Sequence, residues 1–322
     1  MKKVVVLGTG GTIAGRAQSG SDNVGYKAGE VEVGELLSAI PGIQDRLQGM
    51  QLLAEQVAQI DSKDMSWAVW GQLVQQCELH LADPDVAAVL VTHGTDTLEE
   101  TAYLLHLAVG AKALRKPVVL TCAMRPATAL TPDGPQNVLD AITVALHPAS
   151  QGVMVVCAGA VHAAPHVQKR CSYRVDAFDS GDAGPLAWVE EGQVRWCHAP
   201  VLAWDEAMQA APANWSQAPR VDMVMNYADA GAYVVDALLL SQQAGAPRLQ
   251  GMVVAGTGNG TINEAMHHSL LRAVEQGVRV VMASRCTLGG VVRSANGDTP
   301  FAHYPGLSAV KARVRLMLEL AA

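Results

Sequence analysis

Two apolar runs end in turns rich in glycine and threonine, and they constrain this chain more than any other feature. Val4-Val5-Val6-Leu7 leads into Gly8-Thr9-Gly10-Gly11-Thr12-Ile13-Ala14-Gly15, and Val86-Ala87-Ala88-Val89-Leu90-Val91 leads into Thr92-His93-Gly94-Thr95-Asp96-Thr97. Continuous rather than alternating apolar runs of this length are the pattern of strands buried on both faces of a parallel sheet. In open α/β sheets, ligands bind beyond the carboxyl ends of such strands. Two hydroxyl-bearing turns at that edge point to nucleophilic chemistry.

Nucleotide binding is the rival reading of the first turn. A dinucleotide fingerprint requires G-x-G-x-x-G, but Ile13 stands where its third glycine belongs. A P-loop requires Lys-Ser/Thr after its second glycine, and Arg16-Ala17 follow Gly15 instead. Both fail at a position their chemistry needs. A glycine turn made only for close packing is the structural alternative.

Further motifs follow along the chain: Ala123-Met124-Arg125-Pro126, Asp133-Gly134-Pro135-Gln136-Asn137, Gly256-Thr257-Gly258-Asn259-Gly260, Ser284-Arg285 and Lys311-Ala312-Arg313. Together with the two threonine turns they closely resemble the bacterial-type L-asparaginase and glutaminase-asparaginase family, over nearly the whole chain. The resemblance implies a cofactor-free amidohydrolase that converts asparagine to aspartate and ammonia. It also implies homodimers or homotetramers with sites completed across an interface.

The alternation of strand and helix patterns predicts two α/β domains. The larger, residues 1–198, has a mostly parallel sheet flanked by helices, with strands over 3–8, 52–60, 86–92, 117–122 and 152–157. Its helices are expected near 33–39, 64–81, 97–109 and 135–147. A proline-punctuated stretch, 199–219, reads as a linker. A smaller parallel α/β domain over 220–322 has strands at 221–225, 250–255 and 278–282, with helices near 231–244, 262–276 and 308–320.

Hydrolysing an amide needs a nucleophile, a proton acceptor and a way to protonate ammonia. The resemblance makes Thr12 the nucleophile and Tyr26 its hydrogen-bonding partner. It gives Thr95 the activation of water or nucleophile, and Asp96 the substrate's α-ammonium. Lys169, in His166-Val167-Gln168-Lys169-Arg170, matches the family lysine that tunes proton transfer, and Ser62 matches the serine that holds the α-carboxylate. Each has a structural alternative. Asp96 with Glu99, or Thr97 with Glu100, is also a plausible capping pair for the 97–109 helix. Ser62 could be a helix cap, Tyr26 a packed aromatic and Lys169 an ordinary solvated lysine.

The recognition set departs from the family pattern at three places. Lys63 replaces a common glutamine in substrate binding, and Thr261 replaces asparagine or serine. Near Asn296 the glutamate that relatives often supply to a neighbouring subunit is missing. A Lys63 ammonium directed into the pocket would repel the α-ammonium and weaken binding. Weak or no glutaminase activity is therefore expected. The alternative is a non-catalytic amino-acid-binding regulatory protein on the same fold.

Composition narrows the remaining classes. A net charge of −7 without a basic stripe argues against nucleic acid. No run approaches 18 apolar residues, so no membrane partner is expected. The four-residue apolar run after Met1-Lys2-Lys3 is short for a secretory segment, so a cytoplasmic setting is expected. The six cysteines contain no C-x-x-C pair and read as reduced thiols. His162 and His166 have helical metal-ligand spacing, but no third donor completes a site, and no metal is expected. The partner that the family resemblance implies is a small amino-acid amide.

Overall fold

The computed structural model describes residues 1–198, 212, 214–293 and 299–322. Two compact units divide the chain, Met1–Gln209 and Ala210–Ala322. Most of the expected 199–219 linker lies outside the described residues.

Among the described residues of the first unit there are twelve strands: β1 Lys3–Gly10, β2 Arg16–Ala17, β3 Tyr26–Lys27, β4 Gln51–Ile60, β5 Val86–Thr92, β6 Val118–Thr121, β7 Val153–Cys157, β8 Ala160–Ala163, β9 Gln168–Lys169, β10 Phe178–Asp179, β11 Ala187–Glu190 and β12 Gln193–Trp196. Its helices are α1 Val33–Ser38, α2 Ile43–Arg46, α3 Trp67–Ala82, α4 Leu98–Ala113 and α5 Gly134–Ala145. The main sheet has eight strands in the order β12-β11-β8-β7-β6-β5-β1-β4. β4, β1, β5, β6 and β7 are parallel, while β8, β11 and β12 extend one edge antiparallel.

The apolar runs behave as buried strands. Val4, Val5, Val6 and Leu7 are fully inaccessible, as are Val89, Leu90 and Val91. Val4, Val6, Ala88, Leu90 and Val119 face a core shared with α1, α2 and α5. Because side chains alternate across a strand, their neighbours meet α3 and α4 on the other face. Burying both faces removes any need for a polar stripe, which explains the continuous apolar pattern.

Strand order places the site. From β1 the chain moves to β4 on one side, then crosses to β5 and proceeds through β6 and β7 on the other. The reversal lies between β1 and β5, the topological switch point where such sheets open a crevice. Both threonine turns emerge there.

The second unit has a four-stranded parallel sheet in sequential order, β13 Arg220–Met225, β14 Leu249–Gly256, β15 Arg279–Ser284 and β16 Ala302–His303. One face packs on α6 Tyr233–Gln243 and α7 Glu264–Glu275. The other receives α8 Ala309–Ala321, where a Cβ on Gly251 would lie 2.8 Å from Leu316. The expected strands and long helices are present. The sequence reading missed the short strands β2, β3, β8–β12 and β16 and the single-turn helix α2. These pieces are two to four residues long, apart from their turns, too short to display a period.

Candidate active site

Glycine allows the three turns after β1, β4 and β5 to meet. At the end of β1, Gly10 and Gly11 take φ of +96° and +80°, a region that disfavours side chains. Gly11 donates its N–H to the Ile60 carbonyl at the end of β4, at 2.8 Å. A Cβ on Gly11 would fall 2.3 Å from the Gly94 Cα, and a Cβ on Gly94 would fall 2.5 Å from Ser62 Oγ. Residues Thr12, Ser62 and Thr95 are therefore carried by backbones in contact.

Thr12 begins a single 3₁₀ turn, Thr12–Ala14, and is 7% exposed. Its Oγ1 lies 2.6 Å from the Tyr26 hydroxyl. Tyr26 comes from the β2–β3 ribbon, and its ring lies over Gly15, where a Cβ would sit 2.8 Å from Tyr26 Cδ2. Tyr26 is thus joined to Thr12 rather than packed as an isolated aromatic.

Thr95 is 5% exposed and stands with Asp96 just ahead of α4. Lys169 reaches this pair from β9, with Nζ 2.7 Å from Thr95 Oγ1 and 2.6 Å from Asp96 Oδ1. Its side chain is only 17% exposed, against 53% for Asp96. Lys169 is therefore not the solvated lysine that its exposed neighbourhood in the sequence suggests. An ammonium only donates, so Thr95 Oγ1 is the acceptor and its own proton is free to point elsewhere.

The cap alternatives for Thr97 and Ser62 are corrected. Thr97 occupies the N-cap of α4 but makes no side-chain cap bond. Its hydroxyl instead donates to the Ser62 carbonyl at 2.7 Å. Nor is Ser62 a cap: Ser66 caps α3 by accepting from Val69 N, while Ser62 Oγ accepts from Asp96 N at 3.1 Å. Ser62 is buried and ties the β4 turn to the β5 turn.

Lys63 lies beside Ser62 but is committed to carboxylates. Its Nζ is 2.5 Å from Asp61 Oδ2 and 3.8 Å from Asp64 Oδ2, and its side chain is 63% exposed. The hydrogen bond to Asp61, with added fields from Asp61, Asp64 and Asp96, holds its pKa above the ordinary lysine value. An uncompensated charge directed into the pocket is not what the side chain presents.

His93, which sequence reasoning passed over, is completely buried behind the second turn. Its Nδ1 lies 2.7 Å from the Gly94 carbonyl oxygen, so Nδ1 carries the proton. Burial pushes the imidazole down to about 4, leaving it neutral at ordinary pH.

His162 is on strand β8 and His166 in the turn beyond it, not on a helix. Among the described residues no group of three or more His, Cys, Asp or Glu side chains is placed to hold a metal ion. All six cysteines are free thiols. In the second unit, Thr261 closes a turn with Thr257, their hydroxyl oxygens 2.9 Å apart. Asn296 lies outside the described residues.

Comparison with known proteins agrees with this architecture. Residues 3–202 match the family model "Asparaginase, N-terminal", and residues 220–322 match "Glutaminase/Asparaginase C-terminal domain". The chain is 34% identical to L-asparaginase 2 of Escherichia coli, covering 99% of this chain and 89% of that protein. It is 33% identical to L-asparaginase 2 of Bacillus subtilis, with 99% and 83% covered. A glutaminase-asparaginase of Pseudomonas fluorescens is 32% identical, with 99% and 86% covered. The crystal structure of a probable cytoplasmic L-asparaginase from Campylobacter jejuni superposes with a TM-score of 0.88 at 35% identity, covering 99% of this chain and 95% of that one.

Proposed function

The chain belongs to the asparaginase family of amidohydrolases, and from that membership we propose that it hydrolyses L-asparagine to L-aspartate and ammonia through a threonine acyl-enzyme. The observation that carries the reading is the pair of short contacts on adjoining turns, Thr12 to Tyr26 at 2.6 Å and Lys169 to Thr95 at 2.7 Å. Each holds a buried threonine hydroxyl against a side chain that can relay or donate a proton.

In the first half-reaction Thr12 Oγ1 adds to the side-chain amide carbon as its proton passes to the Tyr26 oxygen and the Tyr26 hydroxyl releases its own proton toward the leaving nitrogen. The carbon–nitrogen bond then breaks, the nitrogen takes a proton, and ammonia leaves behind a β-aspartyl ester on Thr12. In the second, water adds to the ester carbon, Thr12 regains its proton, and aspartate is released. Thr95 and Lys169 serve the proton transfers to the leaving nitrogen and from the water, because Lys169 fixes Thr95 as an acceptor and leaves its proton directed away. Asp96, the more exposed carboxylate, takes the α-ammonium, and Ser62 takes the α-carboxylate.

Low activity on L-glutamine is part of the proposal. At Thr261 and near Asn296 the sequence departs from the family's recognition pattern, and a longer substrate depends more on well-fixed α-groups. Ammonia release measured on L-asparagine, L-glutamine and D-asparagine without added cofactor tests the reading. Turnover of L-asparagine is expected, and tight binding of L-asparagine without ammonia release would support the non-catalytic alternative.

Self-association into a homodimer or homotetramer is also proposed. It is supported by apolar exposure at the β13 edge and the start of α6, where Met225 is 54% and Tyr233 86% exposed. Light scattering after gel filtration decides it. No helix among the described residues is long and apolar enough to cross a membrane. A cytoplasmic setting matches the description of the Campylobacter protein, whereas a 35% identical relative from Haemophilus influenzae is named as a probable periplasmic L-asparaginase. Cell fractionation separates the two.

A further inference from the structure

The Tyr26 hydroxyl reaches Thr12 from a ribbon of two two-residue strands that, among the described residues, pairs with no other strand. A two-stranded ribbon standing alone is marginal in water. The position of Tyr26 therefore depends on ties from outside the ribbon. One is Gly29 N to the Gly11 carbonyl at 3.1 Å. Another is the Arg16–Glu35 ion pair, exposed at both ends and so of little weight.

Glu30 N and Val31 N also donate to the Ala14 carbonyl, at 2.8 and 2.9 Å. Three more ties come from one loop, residues 124–133, between β6 and α5. Ala127 N donates to the Gly15 carbonyl at 3.0 Å, and Leu130 N donates to the Gly20 carbonyl at 2.9 Å. Thr128 Oγ1 accepts from Ala17 N at 2.8 Å. Ala17 is the residue directly opposite Tyr26 in the ribbon register. The loop has its own bracing. Asp133 accepts from Met124 N and Arg125 N, each at 2.9 Å, and Arg125 Nη1 donates to Thr131 Oγ1 at 2.6 Å.

We infer that Thr128 is a positioning residue for the reaction. The 124–133 loop is a clasp, and Thr128 fixes the Tyr26 hydroxyl against Thr12 by holding the backbone across from it. The inference rests on the catalytic reading of Thr12 and Tyr26 given above. Thr128 acts on them through its hydrogen bond to Ala17.

The test combines Thr128→Ala, Thr128→Ser, Tyr26→Phe and the double variant. Loss of one neutral hydrogen bond lowers occupancy of the working position by about three- to tenfold, and kcat should fall by that factor in Thr128→Ala. KM should move less, because Tyr26 serves the nucleophile and not the substrate's α-groups. Thr128→Ser keeps the oxygen and should restore most of the rate. In the Tyr26→Phe background, Thr128→Ala should add little further loss. Amide exchange over residues 16–27 should quicken in Thr128→Ala while the thermal midpoint stays put. Unchanged exchange over 16–27 overturns the clasp whatever the kinetics. Unchanged kcat, or losses that simply multiply with Tyr26→Phe, overturns the positioning role. A Tyr26→Phe enzyme with full turnover removes the catalytic reading of Tyr26 instead, and the exchange data still decide whether Thr128 holds the ribbon.

Discussion

Gly11 and Gly94 meet backbone to backbone, so closely that a Cβ on Gly11 would lie 2.3 Å from both the Cα and the N of Gly94. Each immediately precedes a buried threonine. The contact sets the spacing of Thr12 and Thr95 by backbone packing, without relying on any flexible side chain. Gly11 also has φ of 80° and ψ of −172°, a conformation reserved for glycine. Gly11→Ala combines strain with a collision against backbone that cannot yield. It should lower kcat/KM by about 10²-fold or more, as a displacement near 1 Å does elsewhere. Gly94→Ala meets Ser62 Oγ at 2.5 Å and should behave similarly. Steady-state kinetics alongside circular dichroism check this. Near-normal turnover in a folded Gly11→Ala protein would disprove the role given to the contact.

Removing the hydroxyls themselves should be more severe. Thr12→Ala and Thr95→Val are each expected to lose on the order of 10³-fold in turnover with the fold retained. Lys169→Met removes the donor that Thr95 and Asp96 share and should cost about 10²- to 10⁴-fold, the range of general acid–base contributions. Ammonia release on purified, folded variants measures each, and half of the wild-type rate in any of them would end that residue's assignment.

Lys63→Gln should be nearly silent. Lys63 is exposed and paired to Asp61 and Asp64, and exposed pairs are worth little. The repulsion of an α-ammonium expected from the sequence is offset by those carboxylates. KM for asparagine should change by no more than about threefold, with kcat unaltered. A large fall in KM would show that the ammonium turns toward the substrate.

His93 predicts a pH dependence of stability. Its folded pKa is pushed down to about 4 by burial, below the ordinary value of 6.5. Between those values the unfolded chain binds a proton that the folded one refuses. Stability is therefore complete above about 6.5 and declines as pH falls toward 4, by up to about 3 kcal/mol from this group. Urea unfolding across this window should show a shallower decline for His93→Gln than for the wild type. Parallel profiles would contradict the assignment.

The sequence made the scaffold legible because buried parallel strands are written as continuous apolar runs. Val4–Leu7 and Val86–Val91 announce both their strands and the turns that follow. Thr12, Thr95 and Asp96 were legible for the same reason, since each sits in a strand-end turn. Lys169 was not visible as a buried group: it lies on a two-residue strand 74 residues from Thr95, with no local pattern to mark it. Thr128 gave no signal either, because its partner Ala17 is 111 residues away. The capping readings of Ser62 and Thr97 failed because tertiary partners, each other's turns, claimed hydroxyls that local geometry would have given to helix N–H groups.

In the proposed reaction Thr12 carries the acyl group. Rapid quenching of wild-type enzyme during asparagine turnover, followed by peptide mass spectrometry, tests it most directly. A β-aspartyl ester is expected on the peptide containing Thr12 and is expected to be absent from Thr12→Ala. An ester found on the peptide containing Thr95, with Thr12 unmodified, would contradict it.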